Sequence, residues 1–426
     1  MNMDTETALL YGTLATVLVL TVGVYSSASG EELVPRQPLI LSGVIREALD
    51  GNPEIQAARQ RWAAAAQRIP QARALDDPTV SVQWWNTPES FNLGQAANTI
   101  ISLSQKFPFP GKLTLKEEVA SRSADITEQA LHAKERDLIA RVKQTYYDLF
   151  LAHKAIQIHH KQIDLLTQFL EIAMAKFRTG TGSQVDVLKA QVELSTLHQQ
   201  LPVLEQRRET AQAKINTLQN KDPRTPVGLP EEPRVERFTK DLDELFQIAA
   251  EARPEVKAAG LAVQRNEHAR ALAHRQYYPD VTVAVQRFQN FQARDGFGAI
   301  MGIDLPFAFW TKPKYDAGVQ EASAGVAAAR ADLQTQENLT RFQIRDVLAK
   351  VRASWEVGVL YRTTVLPQAE ESLASARAGY RTGRTDFLNL IEADRALREF
   401  QLAYYSALVD WQLRVAELEQ VVGRDL

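Results

Sequence analysis

Apolar residues recur every seven positions near the C-terminal end of the chain, at Leu390, Leu397, Tyr404, Trp411 and Leu418. Val187, Leu194 and Leu201 keep the same spacing earlier. A seven-residue apolar period belongs to helices packed knobs into holes. Residues 112–178 contain neither proline nor glycine. At ~1.5 Å per residue they predict one rod of roughly 100 Å, far longer than a globular core needs. Pro202 and Pro367 interrupt other helical stretches, and a bend or break is expected at each.

A second pattern has period two. TVSVQWW sets Val80, Val82 and Trp84 against Thr79, Ser81 and Gln83, and VTVAVQ sets Val281, Val283 and Val285 against Thr282, Ala284 and Gln286. In FGAIMGIDL, Phe297, Ala299, Met301, Ile303 and Leu305 alternate with residues that, Ile300 apart, are small or polar. Such strands fit either a sheet half-buried in a core or a barrel facing lipid. Trp84, Trp85, Phe288, Phe291 and Phe297 fall at the loop ends of these strands, where a membrane aromatic girdle would sit; packing as core aromatics fits them equally well. Four strands do not close a barrel, and an open edge is not tolerated in lipid, so in a membrane they would need partners from other copies of the chain.

The patterns occur twice. NPEIQAARQRWAAAAQRIPQARALDDPTVSV from Asn52 is echoed by RPEVKAAGLAVQRNEHARALAHRQYYPDVTVAV from Arg253, with Pro53, Ala57, Ala58, Pro78 and Val80 matching Pro254, Ala258, Ala259, Pro279 and Val281. FRTGTGSQVDVLKA from Phe177 returns as YRTGRTDFLNLIEA from Tyr380. The expected organisation is a first repeat over 41–220 (helix, two strands, long helical hairpin), a proline-rich extended linker over 221–240, and a second repeat over 241–423.

Composition narrows the class. The chain has 426 residues, a formal net charge of −3 and no cysteine. Lys and Arg alternate with acids rather than forming the basic stripe that nucleic acid requires, and thiolate metal sites, disulfides and cysteine nucleophiles are excluded. Residues 8–25 are apolar and uncharged, followed by Ser26-Ser27-Ala28. They predict an export signal peptide over 1–28, with a retained anchor as the alternative, since Asp4 and Glu6 stand where a signal peptide carries Lys or Arg.

KFRTGTGSQVDVLKAQ, from Lys176, raises the question of a phosphate cradle. Gly180-Thr181-Gly182 lacks the lysine that a P-loop places after its last glycine, and no HExxH or GxSxG pattern occurs. In the echo Gly180 is kept as Gly383 while Gly182 becomes Thr385. One glycine with positive φ suffices to cap a helix C-terminus, and Ser183 and Asp386 read as N-caps of the returning helices. His153, His159 and His160, like His268 and His274, are too loosely spaced for a tight metal site. Beyond the signal only Met174 and Met301 remain, against a copper relay. No catalytic site and no cofactor is expected.

The ordered, doubled set of motifs, FRTGTGSQVDVLKAQ and YRTGRTDFLNLIEAD, DPTVSV and YPDVTVAV, and the corners KFPFPGK and DLPFAF, resembles the outer-membrane efflux (TolC-like) family. Within it the chain is most similar to the heavy-metal (cobalt-zinc-cadmium) resistance branch. The resemblance implies a mainly α fold with a small β part, long coiled-coil hairpins in two tandem repeats, and four strands per chain given to a trimeric twelve-stranded barrel. It places the chain in the outer membrane of a Gram-negative bacterium with a large periplasmic portion. It also implies a homotrimer, outer-membrane lipid, a periplasmic adaptor and an inner-membrane RND-type transporter as partners. The expected function is a passive exit duct, opened at its periplasmic tip, for divalent heavy-metal cations. A duct for organic compounds and a pore-less periplasmic adaptor are the alternatives.

Residue by residue, the resemblance assigns the gate tyrosine to Tyr380 and its partner aspartate to Asp186. A gate arginine falls on Thr385, a departure. The acids of the narrowest ring fall on Asn389 and Glu392, so that one carboxylate per chain, Glu392, would face the lumen as a cation-favouring constriction; as a bare sequence feature it reads as a solvated helix acid. Arg178, Thr179 and Gly180, with Arg381, Thr382 and Gly383, form the tip turns expected to dock the adaptor.

Overall fold

The computed structural model describes residues 38–90, 92–93, 96–233, 236–290, 294–306 and 308–426. The export segment over 1–28 and the girdle residue Phe291 lie outside the described residues. No helix among the described residues is long and apolar enough to cross a membrane.

One order of elements occurs twice. First come α1 (Leu41–Gly51), α2 (Pro53–Ala66), α3 (Arg68–Arg73), β1 (Thr79–Trp85), β2 (Asn98–Phe107), α4 (Lys112–Arg178) and α5 (Gln184–Leu218). Then come α6 (Leu242–Ala252), α7 (Pro254–Arg275), β3 (Val281–Asn290), β4 (Gly296–Ile303), α8 (Lys312–Leu360), a π-helical turn (Tyr361–Val365), α9 (Leu366–Thr382) and α10 (Phe387–Val422). Pro53 and Pro254 each begin a new helix, as a residue without an N–H and with φ preset does. Asn52 completes the first break: its side chain accepts from Glu54 N at 2.8 Å and donates to Leu218 O at 2.9 Å.

The proline-free stretch forms one helix of 67 residues. Of the bend or break expected at Pro202, the break does not occur: α5 runs through it as one helix. Proline removes one backbone hydrogen bond there, while Leu197 and Ala211 on either side stay buried against the neighbouring helices. At Pro367 the helix does change: the π turn precedes it and Pro367 sits in the first turn of α9.

Three apolar clusters hold the helices together. Leu138, Leu149, Phe150, Ile215 and Leu408 form one, Leu166, Phe169, Leu197, Phe387 and Leu390 a second, and Ile344, Leu348, Trp411 and Leu418 a third. Each fully buried Leu or Phe contributes about 1.5–3 kcal/mol relative to exposure. The seven-residue register holds here: Leu390, Trp411 and Leu418 are buried, and Leu397 is partly buried. The proline-rich segment after α5 is extended but docked. Leu39 N donates to Leu229 O at 2.9 Å, Val227 is buried, and the Tyr146 hydroxyl donates to Leu39 O at 2.8 Å while accepting from Glu231 N at 2.9 Å.

The strands form one antiparallel sheet in the order β1-β2-β3-β4. Its register pairs Val80 with Leu103, Leu103 with Val285, and Val283 with Met301, which sets apolar residues from all four strands side by side on one face. That face is bare in the single chain, with Val80 68% and Met301 72% exposed. The other face carries Ser81, Ser102, Ser104, Thr282 and Gln286.

Candidate functional site

The residues expected to carry function fall in two parts of the fold: the sheet, and the ends of the hairpins at residues 176–186 and 379–394. At the sheet, the aromatic cluster divides. Trp84 and Phe297 lie on the apolar face, whereas Trp85 and Phe288 lie on the other, because alternate residues point to opposite sides. Phe288 covers Gly298, where a Cβ would come 2.7 Å from its ring. Arg287 lies over the Phe297 ring at 5.5 Å and pairs with Asp295 at 3.0 Å.

Where strands meet helices, Lys112 joins the two halves of the chain. Its ammonium donates to Asp280 Oδ1 at 2.7 Å and to Tyr278 O at 2.9 Å, and its side chain is 4% exposed. Lys106 adds contacts to Asp280 at 3.4 Å and Asp304 at 3.0 Å. Burial alone would raise the Asp280 pKa, but the Lys112 and Phe109 N–H hydrogen bonds hold it below the usual carboxylate range.

At the hairpin ends the two glycine turns share one hydrogen-bond pattern. The Lys176 carbonyl accepts from Thr181 and Gly182, both at 3.0 Å, and the Gly379 carbonyl accepts from Arg384 at 2.9 Å and Thr385 at 3.3 Å. Gly180 has φ 73° and Gly383 φ 75°, the left-handed cap expected of them. Ser183 Oγ accepts from Val185 N and Asp386 Oδ1 from Asn389 N, both at 3.1 Å, so both are N-caps. The amides of Thr179, Gly180, Thr181 and Gly182 all donate to helix carbonyls, which leaves none for a phosphate. Arg178, Thr179, Gly180, Arg381, Thr382 and Gly383 are exposed at the turns.

Tyr380 is buried at 4% exposure, against Phe387 at 5.3 Å between ring centroids. Burial, reinforced by the charge of nearby Asp186, pushes its pKa up to about 12. Structure thus brings Tyr380 and Asp186 close, yet the Tyr380 hydroxyl has no hydrogen-bond partner within the chain. Lys176 makes the contact instead: its ammonium donates to the Tyr380 carbonyl and sits 4.2 Å over the Tyr380 ring. Asn389 and Glu392 are exposed, three residues apart on one face of α10.

One helical turn further along, a polar cluster interrupts the core. Glu193 of α5, 2% exposed, accepts from Arg395 Nε at 2.9 Å and from Arg398 at 3.3 Å. Burial alone would raise its pKa, but the guanidiniums win and lower it. Asp394 of α10 is 0% exposed and faces Gln162 of α4. Lys176, Glu193, Arg395, Arg398 and Asp394 were not singled out by sequence reasoning. The one available signal was Asp394, which occupies the apolar register shared with Leu408 and Val422.

Two of the histidines have partners within the chain. His159 Nδ1 contacts Ala155 O and Nε2 contacts Gln200, each at 3.0 Å, and His268 pairs with Glu118 at 2.8 Å. Among the described residues no three His, Asp or Glu side chains gather to hold a metal ion.

The sequence pattern of the outer membrane efflux protein family matches residues 44–221 and again 245–424. The chain belongs to this family. It is therefore an outer-membrane efflux channel with a large periplasmic portion, and a passive conduit rather than an enzyme. Among its relatives, the cobalt-zinc-cadmium resistance protein CzcC of Cupriavidus metallidurans is 22% identical over 419 residues, covering 94% of this chain and 95% of the relative. The efflux channel shares its fold with the open state of the MtrE outer membrane channel of Neisseria gonorrhoeae, at TM-score 0.75 and 18% identity, covering 91% of this chain and 89% of that one. It is equally similar to the outer membrane protein VceC of Vibrio cholerae, at TM-score 0.74 and 18% identity, covering 90% of this chain and 96% of VceC.

Proposed function

We propose that three copies of this chain close their sheets into a twelve-stranded barrel, with the helices continuing as a periplasmic duct that exports divalent heavy-metal cations. The observation that carries the barrel is the sheet itself: a continuous apolar face exposed in the single chain, with β1 and β4 each left with one unpaired edge. Neither is stable in lipid unless the edges pair with other copies. In this reading Trp84 and Phe297 meet the lipid interface, and Trp85 and Phe288 belong to the barrel interior.

The duct is shut at rest where the hairpins end. Tyr380, Asp186 and Lys176 hold the hairpins together, and Asn389 and Glu392 face the lumen as the constriction, one carboxylate per chain. The exposed turns at Arg178, Thr179, Gly180, Arg381, Thr382 and Gly383 receive a periplasmic adaptor, which connects the duct to an inner-membrane RND-type transporter. Similarity to CzcC along nearly the whole chain supports metal cations as cargo.

Reconstitution of the detergent-solubilised protein into planar bilayers tests the channel. Conductance that increases in a Tyr380→Phe, Asp186→Ala variant is the expected result, and silence in every variant counts against a duct. For the cargo, a deletion strain should become sensitive to divalent metals. Sensitivity to organic compounds alone would transfer the assignment to a drug duct.

A further inference from the structure

Asp394 sits where α10 meets α4 and α5, with no exposed surface. Neither carboxylate oxygen has a hydrogen-bond partner, and neither does the Gln162 amide nitrogen that faces it. From α5 the charged group is Glu193; from α10 itself they are Arg395 and Arg398, and both guanidiniums are engaged by Glu193. From α4, Gln162 is uncharged, and His159, one turn away, has both ring nitrogens occupied. From α9, Arg377 lies over the Phe169 ring at 5.9 Å. An ionised carboxylate in this seam would have one uncharged donor, the Gln162 amide nitrogen, and an acidic neighbour in Glu193. A neutral carboxylic acid carries its own donor, which the Gln162 amide oxygen accepts once the amide is turned about.

We propose that Asp394 is a proton-operated latch: protonated, it lets α10 seat on α4 and α5 and keeps the duct shut; ionised, it loosens that seam. The latch rests on the reading of the hairpin ends as the gate. Burial, partly offset by Gln162 and Arg398 and reinforced by Glu193, pushes the Asp394 pKa up to about 6. Opening hydrates the carboxyl and returns it toward the ordinary value of about 3.9. Below that value both states are protonated and the latch has its full strength. As pH rises toward about 6 the open form gives up its proton first, and above it the closed form bears the whole penalty of a buried charge. Acid therefore favours the shut duct and neutral pH favours opening. The pKa difference corresponds to a change of about tenfold to a hundredfold in the open-to-closed ratio per chain.

The test uses the full-length protein in planar bilayers, with open probability followed from about pH 5 to about pH 8, across the raised carboxyl value. The wild type should open at least about tenfold more often at the upper end, and Asp394→Asn, which copies the shape of the neutral acid, should stay at the acid level throughout. An unchanged pH response in Asp394→Asn overturns the latch. Hydrogen exchange of residues 387–398 in detergent, corrected for intrinsic pH dependence, gives a readout independent of current. Faster exchange of the wild type at neutral pH, lost in Asp394→Asn, upholds the latch even if no variant conducts, in which case only the channel reading falls. Conductance with no effect of Asp394 on current or exchange leaves the channel standing and removes the latch.

Discussion

Thr385 Oγ1 occupies the space that a side chain on Gly379 would need, 2.2 Å from where its Cβ would lie. In the first hairpin the same two positions are filled the other way round. Lys176 stands in place of Gly379 and Gly182 in place of Thr385, and a Cβ on Gly182 would fall 2.8 Å from Lys176 Cβ. Each turn thus keeps one glycine at this contact, on opposite sides. The exchange matters because it puts a lysine, rather than a glycine, beside Tyr380.

Gly379→Ala should therefore destabilise the second turn by about 1–3 kcal/mol through overpacking. Gly379→Ala with Thr385→Gly should recover much of that loss, although Thr385→Gly alone gains nothing. A double-mutant cycle on thermal unfolding in detergent reads the coupling. Additive effects would show that the turn absorbs the added methyl elsewhere.

Lys176→Met removes the ammonium shared by the Tyr380 carbonyl and ring. A hydrogen bond from a charged donor is worth about 1.5–3 kcal/mol. The variant should conduct more at rest than the wild type, with Lys176→Arg intermediate. Bilayer currents at constant pH check the order, and a fully shut Lys176→Met would place the closing contact elsewhere.

Lys112→Met leaves Asp280 with only the longer contacts to Lys106 and the Phe109 amide. Breaking such a buried pair costs about 3 kcal/mol. Asp280 has a lowered pKa, so its stabilisation is complete at neutral pH and disappears as pH falls through the ordinary carboxylate range of about 4 and below. Unfolding measured against pH should show an acid-side loss in the wild type that is smaller in Lys112→Met. Equal acid sensitivity in both would remove Asp280 from the account.

Glu193→Gln frees Arg395 and Arg398 from their acceptor and removes the acid beside Asp394. Both changes favour the ionised form of Asp394, so the midpoint of any pH response at the hairpin ends should move down by about one unit or more. Exchange of residues 387–398 against pH reads the midpoint. An upward shift would contradict the arrangement of charges.

On the sheet, Val285→Arg puts a guanidinium half-way along β3 on the apolar face and should cost about 2–4 kcal/mol if that point lies near the bilayer midplane. Gln286→Arg, on the other face, should be tolerated. Yields of folded protein in the outer membrane distinguish the two, and equal yields would deny that the apolar face meets lipid.

Much of the fold was legible residue by residue. The long helix follows from 67 residues without proline or glycine, the strand faces from alternation, and the turns from a glycine with positive φ followed by Ser183 or Asp386. Each is a local property, set within a few residues of chain. Pro202 does not break α5 for a reason that is not local: its own cost is real, but contacts along the helix outweigh it.

What the sequence alone determined is which surfaces are apolar and where the chain turns. Tertiary structure decided which surface meets which. Lys176 reaches Tyr380 across 204 positions and Arg395 reaches Glu193 across 202; the internal repeat aligns these positions, but alignment alone does not say that they touch. Asp394 is the clearest case: in the chain it is one acid among many on a helix, and only the packing of α4, α5 and α10 removes its water and makes its proton matter.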